Sequence, residues 1–235
     1  MTAHLNGKRI VLTGASRGVG YESTKLFLKA GAHVIGTARD ADRLAKAAEE
    51  FKTLGNFTPV LADLADPSGP TTIASAVAAQ WDSLDILVNN AAVQVYKKDW
   101  YEEGLEMLNE QWRINVFAQH ELIYRLVPLL KKGREPRVIN LSSGAGTLQA
   151  LRETPDMPTY RLTKYALNGM SLLWAGELRG QVAVNALDPG WLRTDLGGPN
   201  APGEPADGAR RTLEVCALPW EETGKFWHGS QQIDY

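Results

Sequence analysis

The stretch Thr13-Gly14-Ala15-Ser16-Arg17-Gly18-Val19-Gly20 decides the fold, because it joins two segments of different character. Before it, the apolar run Arg9-Ile10-Val11-Leu12-Thr13 is typical of a parallel strand that is buried on both faces. After it, residues 18–30 place apolar side chains on one side of a predicted helix, which Gly31 is suited to end. Glycines would also suit a tight turn without a ligand. Their position between a strand and a helix lets backbone N–H groups approach a pyrophosphate, and this favours a dinucleotide site.

The rest of the chain continues this alternation of strands and helices. The predicted strands lie at residues 33–37, 59–62, 84–88, 137–141 and 182–186, and the predicted helices at residues 40–51, 71–81, 99–132 and 159–178. Such an alternation indicates βαβ units, whose right-handed crossovers place helices on both faces of a sheet. We therefore predict an α/β fold in three layers, with a doubly wound parallel sheet of about seven strands (a Rossmann fold), in one domain over residues 1–235.

Residues 197–205 form the one break in composition, with many glycines and prolines. This segment follows the sixth predicted strand, so it lies at the carboxyl edge of the sheet, where ligands bind in doubly wound folds. An ordinary surface loop would have the same composition. We predict a short flap over a substrate cleft at about residues 195–208.

Composition and charge exclude several classes of protein. The 235 residues are 44% hydrophobic and 22% charged, which is ordinary for a globular chain and unlike a disordered one. With 25 basic and 27 acidic side chains, the net charge of −2 offers no footprint for nucleic acid or an anionic membrane. One cysteine, Cys216, and four scattered histidines predict neither a disulfide framework nor a metal site. A polar N-terminus and the lack of a long apolar stretch predict a cytoplasmic protein.

The end of the second predicted strand indicates which dinucleotide fits. An acidic residue there would bind the ribose 2′-hydroxyl of NAD, but the sequence reads Thr37-Ala38-Arg39 and has no acid before Asp40. The guanidinium of Arg39, supported by Arg17 in the glycine stretch, can instead clamp a 2′-phosphate. Alternatively, Arg39 is a solvated charge beside Asp42. We predict NADP(H) as the cofactor.

Tyr160 and Lys164 are the candidate chemical residues, because a helix places side chains four residues apart on one face. An ammonium beside a phenol lowers the phenol's pKa from about 10, and Tyr160 could then deliver a proton to the alkoxide that hydride transfer leaves on a carbonyl. Ser143, after the fifth predicted strand, could hydrogen-bond that carbonyl, and Ser142 is the alternative hydroxyl. Asn115 is a weaker candidate, since a buried asparagine more often satisfies backbone groups.

At this point the chain resembles the short-chain dehydrogenases/reductases in their 250-residue form. The glycine stretch at residues 13–20 looks like the family's TGxxxGxG, Asn89-Asn90-Ala91-Ala92 its NNAG, and Tyr160 to Lys164 its YxxxK. Asp188-Pro189-Gly190-Trp191-Leu192-Arg193-Thr194 looks like PGxxxT, and the C-terminal residues 223–230 resemble carbonyl-reductase-like members. The chain departs from the family pattern at Ala92, which replaces a glycine, at Thr163, which replaces a serine, and in an insertion at about residues 152–158.

The resemblance implies a role for each matched residue. Asn115 would hold a proton-relay water, Ser143 would polarise the carbonyl, Tyr160 would be the acid and base, and Lys164 would lower the pKa of Tyr160 and bind the nicotinamide ribose. The cofactor contacts would be Gly14, Ser16, Arg17, Gly18, Val19 and Gly20 in the glycine stretch, Arg39 at the 2′-phosphate, Asp63 and Leu64 beside the adenine, Asn90, Ala91 and Ala92 along the cofactor, Pro189 and Gly190 in the last motif, and Leu192 and Thr194 at the carboxamide.

A mostly apolar substrate pocket is predicted from the residues that follow the strand ends, namely Gln94, Val95, Ala145 and Trp191. A ketone, an aldehyde or a secondary alcohol fits it best. The predicted function is therefore NADPH-dependent carbonyl reduction, reversible as alcohol oxidation, and the resemblance implies a homodimer or a homotetramer. The main alternative is an NADP(H)-binding regulatory protein without turnover, and epimerase or dehydratase chemistry is a minor one.

Overall fold

The structure, a computed structural model, describes residues 5–96 and 99–235. The strands are β1 (Arg9–Thr13), β2 (His33–Ala38), β3 (Phe57–Leu61), β4 (Ile86–Asn89), β5 (Arg137–Leu141), β6 (Ala183–Leu187), β7 (Phe226–His228) and β8 (Gln231–Ile233). Within the described residues they form one eight-stranded sheet in the order β3-β2-β1-β4-β5-β6-β7-β8. Every neighbouring pair from β3 to β7 is parallel, and the predicted doubly wound α/β fold is confirmed.

The prediction of about seven parallel strands was one strand short. β8 pairs antiparallel with β7, with Trp227 opposite Gln232, after a two-residue turn at Gly229 and Ser230. Gly229 has a φ of +62°, which suits the first position of a tight hairpin turn. The Gly-Ser pair between two short strands is the signal that could have revealed β8.

Helices cover both faces of the sheet. They are α1 (Gly18–Lys29), α2 (Ala41–Phe51), α3 (Gly69–Gln80), α4 (Trp100–Trp112), α5 (Ala118–Leu130), α6 (Leu148–Glu153), α7 (Pro158–Glu177) and α8 (Pro205–Cys216). On one face, Phe27 of α1, Phe51 of α2 and Val215 of α8 belong to the same buried apolar cluster. On the other face, Ile73 of α3 and Leu122 of α5 belong to a second cluster. Two such clusters around one sheet are what a doubly wound fold requires.

Three helical features differ from the sequence prediction. The helical stretches predicted between residues 99 and 132 are α4 and α5, and the π-helical turn between them, Arg113–Phe117, was not predicted. The short helix α6 and the helix α8 were not predicted. α8 begins at Pro205 and has a reciprocal cap. The Glu204 side chain accepts the backbone N–H of Asp207, and the Asp207 side chain accepts the backbone N–H of Glu204. This capping pattern could have indicated α8, and it leaves residues 195–204 as the non-helical part of the predicted flap.

The parallel strands end at one edge of the sheet, and the chain diverges there between the neighbours β1 and β4. Ligands bind in doubly wound folds at such a switch point. No helix among residues 5–96 and 99–235 has the length and hydropathy that a membrane crossing requires.

Candidate functional site

A large cleft lies at the carboxyl edge of the sheet. Its volume is about 1200 Å³, and it extends from the glycine stretch after β1 to the N-terminal turns of α7. The predicted residues on its wall are Gly14, Ser16, Arg17, Gly18, Val19, Gly20, Arg39, Asp63, Leu64, Asn90, Ala91, Ala92, Gln94, Ser143, Ala145, Tyr160, Lys164, Pro189, Gly190, Trp191, Leu192 and Thr194. Two predicted site residues, Val95 and Asn115, do not belong to the wall of this cleft as the described residues form it.

The glycine stretch needs its small residues because side-chain and backbone atoms lie close to it. Gly14 has a φ of +74°, and a Cβ there would lie 2.9 Å from Nδ2 of Asn90. A Cβ on Gly20 would lie 2.0 Å from the carbonyl oxygen of Gly14. Asn90 itself donates from Nδ2 to the Thr13 carbonyl at 2.7 Å, so its side chain joins the ends of β1 and β4. The N-cap residue Arg17 caps no N–H of α1 with its side chain, which leaves the helix N-terminus able to bind an anion.

Arginine side chains collect at the adenosine end that the sequence predicted. Arg17 forms an ion pair with Asp195, and Nη1 of Arg39 lies 3.9 Å from a carboxylate oxygen of Glu110. Arg43, which the sequence analysis missed, lies on the same wall, and its Nη1 is 3.6 Å from the Asp195 carboxylate. The sequence signal for Arg43 was its position in the first turn of α2, four residues after Arg39. The guanidinium groups of Arg17 and Arg43 thus already share one anionic partner.

Tyr160 and Lys164 lie on one face of α7, and both are buried, with 6% and 2% of their surface exposed. Nζ of Lys164 donates to the Leu141 carbonyl at the end of β5, at 2.7 Å, and lies 5.7 Å from the centroid of the Tyr160 ring. Burial lowers the pKa of Lys164 to about 7, although the charge of Asp188 opposes this shift.

The pKa of Tyr160 differs from the sequence prediction. Burial raises this pKa to about 12, whereas a hydrogen bond with Ser143 lowers it and the charge of Asp188 raises it. The predicted net lowering of the tyrosine pKa is therefore not found in this structure. The physical reason is that burial penalises the charged phenolate, and this desolvation is the largest cause of the shift.

The two adjacent serines make different contacts. Ser143 is partly exposed on the cleft wall, and its Oγ accepts a hydrogen bond from the Ala145 N–H at 3.1 Å. Ser142 is buried, and its Oγ donates to the Lys164 carbonyl at 3.2 Å, which ties β5 to α7. Of the two serines, Ser143 is the one that affects the pKa of Tyr160, which it lowers.

Asn115 lies in the π-helical turn, fully buried. Its Oδ1 accepts from the Val93 N–H at 2.9 Å, and its Nδ2 donates to the Val93 carbonyl at 2.9 Å and to Oγ1 of Thr163 at 3.1 Å. The amide thus joins the loop after β4 to α7, and it satisfies the backbone N–H and carbonyl of Val93. Thr163, the residue that departs from the family pattern, is one of its partners.

The substrate end of the cleft contains Gln94, Ala145 and Trp191 from the prediction. Nε1 of Trp191 donates to the Gly197 carbonyl at 2.8 Å, which folds the segment after β6 back on itself. Tyr96, Asp156, Met157 and Leu196 also line the cleft. Asp156 and Met157 belong to the predicted insertion, so the insertion contributes to the wall at this end.

Comparison with known proteins identifies the family. A sequence model described as short chain dehydrogenase matches residues 8–204. The chain belongs to the short-chain dehydrogenase family. This match confirms the resemblance that the four motifs indicated.

Relatives and solved structures of this family match nearly the whole chain. The (+)-neomenthol dehydrogenase of Arabidopsis thaliana is 27% identical and covers 96% of this chain and 97% of its own. The protein of Sus scrofa named carbonyl reductase (NADPH) 1 is 27% identical and covers 97% of this chain and 93% of its own. L-Sorbose reductase from Gluconobacter frateurii, solved with NADPH and L-sorbose, superposes with a TM-score of 0.85 at 27% identity, covering 97% of this chain and 98% of its own.

Proposed function

We propose that this short-chain dehydrogenase is an NADP(H)-dependent carbonyl reductase, which reduces a ketone or an aldehyde and oxidises the corresponding secondary alcohol in reverse. One observation carries the proposal. Tyr160, Ser143 and Lys164 line one cleft that continues to the glycine stretch, and Nζ of Lys164 lies 5.7 Å from the centroid of the Tyr160 ring.

The residues present fit NADP(H). The uncapped N-terminus of α1 suits the pyrophosphate, and the guanidinium groups of Arg17, Arg39 and Arg43 suit a 2′-phosphate. NADPH-containing structures of family members, such as the L-sorbose reductase complex, support the same cofactor for this chain. When bound, this cofactor supplies the hydride.

The chain's own part in reduction is to orient the carbonyl and to supply a proton. Ser143 donates a hydrogen bond to the carbonyl oxygen and holds it beside Tyr160. As the oxygen gains negative charge, Tyr160 transfers its Oη proton to it, which forms the alcohol and leaves a phenolate. The ammonium of Lys164 then stabilises that phenolate. A pKa of about 12 keeps the phenol protonated at neutral pH, so Tyr160 is ready to act as an acid, and alcohol oxidation should rise with pH.

A spectrophotometric screen tests this function. NADPH is mixed with the protein and a panel of ketones and aldehydes, and the loss of NADPH absorbance is followed. Oxidation of NADPH that depends on both protein and carbonyl supports the proposal. NADPH binding without oxidation across the panel would instead favour the regulatory alternative.

We predict that Ser143→Ala lowers kcat for carbonyl reduction by roughly 10²- to 10³-fold, because the developing oxyanion loses one preorganised donor. Ser142→Ala is the matched control. It removes a buried hydrogen bond to Lys164 and should lower the free energy of unfolding by about 1 kcal/mol, with kcat within about threefold of the starting protein. Steady-state kinetics and denaturant unfolding measure the two effects. A larger kcat loss for Ser142→Ala would reverse the assignment.

We further propose a homodimer or homotetramer. Apolar side chains on the outer surfaces of α5, the π-helical turn and α7 are exposed, namely Phe117, Tyr124, Leu172 and Leu173. Monomers seldom expose so many large apolar side chains together. Light scattering coupled to size-exclusion chromatography should give a mass of two or four chains, and Leu173→Glu should shift it toward one.

A further inference from the structure

Asp188 is a carboxylate on the cleft wall to which the mechanism above gives no role. It follows β6 directly, and only 16% of its side chain is exposed. In the sheet, Leu187 pairs with Leu141, whose carbonyl binds Nζ of Lys164. The residue after Leu187 therefore lies beside the point where Lys164 is anchored.

The position of the Asp188 carboxylate is fixed from two sides. Its Oδ1 accepts from the Gly190 N–H at 3.0 Å, and its Oδ2 lies 3.0 Å from Nδ1 of His228 at the end of β7. Its backbone N–H donates to the Trp227 carbonyl at 2.8 Å. A Cβ on Gly144 would lie 3.3 Å from Oδ2, so the carboxylate also faces the turn that contains Ser143.

Lys164 needs a countercharge at this position. The hydrogen bond of the buried Lys164 ammonium goes to a neutral carbonyl, and without a countercharge desolvation would make this ammonium lose its proton easily. Asp188 is the carboxylate whose charge acts on both Lys164 and Tyr160. Three other charged or titratable groups lie around Lys164 and Asp188. The charge of Arg161 acts on Tyr160, and His228 lies against Asp188. Arg211 donates to the Pro189 carbonyl at 2.5 Å.

We propose that Asp188 is a positioning residue that maintains the positive charge of Lys164 beside Tyr160, and that His228 holds Asp188 in place for this purpose. The proposal deepens the proposed function, since the charge on Lys164 is what stabilises the phenolate. His228 also lines a second cavity at the protein surface, together with Arg211 and Glu214.

A titration of Lys164 by NMR tests this directly. The protein is labelled with 13C at lysine Cε, the Lys164 signal is assigned with Lys164→Arg, and its shift is followed against pH. Asp188→Asn retains a side-chain oxygen for the Gly190 N–H but lacks the charge, so the midpoint of Lys164 should fall by about one pH unit. Glu214→Gln, which removes a carboxylate from the second cavity, should leave the midpoint unchanged.

The position of His228 is tested with two substitutions. His228→Gln can still donate to Asp188 and should retain the midpoint, whereas His228→Leu cannot and should lower it. An unchanged or raised midpoint in Asp188→Asn overturns the proposal. If the two His228 variants shift the midpoint equally, the proposed role of His228 is overturned. The same two variants provide the test if Asp188→Asn fails to fold. The titration needs no substrate, so its outcome is independent of whether carbonyl reduction is observed.

Discussion

Replacing Tyr160 with phenylalanine is expected to lower kcat for carbonyl reduction by about 10²- to 10⁴-fold, the usual contribution of a positioned proton donor. The hydroxyl is the one group removed, and the ring beside Nζ of Lys164 remains. The alkoxide would then have to take its proton from water, without the Ser143–Tyr160 pair to deliver it. Steady-state rates with an active ketone from the screen measure the effect.

The dissociation constant for NADPH should stay within about threefold in Tyr160→Phe, because most of the cofactor contacts we propose lie elsewhere on the cleft wall. Fluorescence titration measures it. Tyr165→Phe is the matched control, since Tyr165 lies on the same helix and is exposed rather than directed into the core. Turnover retained in Tyr160→Phe would reject the tyrosine as the proton donor.

The sheet was largely predictable from the sequence because its signals are local. β1 and β5 have the predicted bounds, since each is a short apolar run that ends at glycine or serine. β8 was missed because three residues are too few to show a period. The π-helical turn was missed because nothing in Arg113–Phe117 departs from an ordinary helical pattern.

The candidate site was predictable as a set of positions but not as a set of energies. The i, i+4 spacing was enough to bring Tyr160 and Lys164 together on α7. The direction of the tyrosine pKa shift depends on how deeply both groups are buried, which follows from long-range packing. For the same reason, the sequence could not show that the Asn115 side chain is hydrogen-bonded to Val93 and Thr163, or that the charge of Asp188 acts on Lys164.

Replacing Arg39 with alanine is expected to raise KM for NADPH by about 10- to 100-fold and to leave KM for NADH nearly unchanged. A hydrogen bond to a charged group contributes about 1.5–3 kcal/mol. NADH has no 2′-phosphate, so its binding does not include this hydrogen bond. Arg17→Ala and Arg43→Ala should act in the same direction. Arg17 and Arg43 both pair with Asp195, so a 2′-phosphate would compete with this carboxylate, and Asp195→Asn should tighten NADPH binding.

The comparison of the two cofactors separates recognition of the phosphate from support of the fold. Arg125→Ala is the matched control, because Arg125 is an exposed arginine on α5 that pairs with Glu121 in its own helix, and it should change neither KM. The arginines on the cleft are also about half-exposed, so salt should weaken NADPH binding more than NADH binding. If Arg39→Ala raised both KM values equally, Arg39 would support the site without reading the phosphate, and tighter binding of NADH by the unmodified chain would overturn the predicted cofactor.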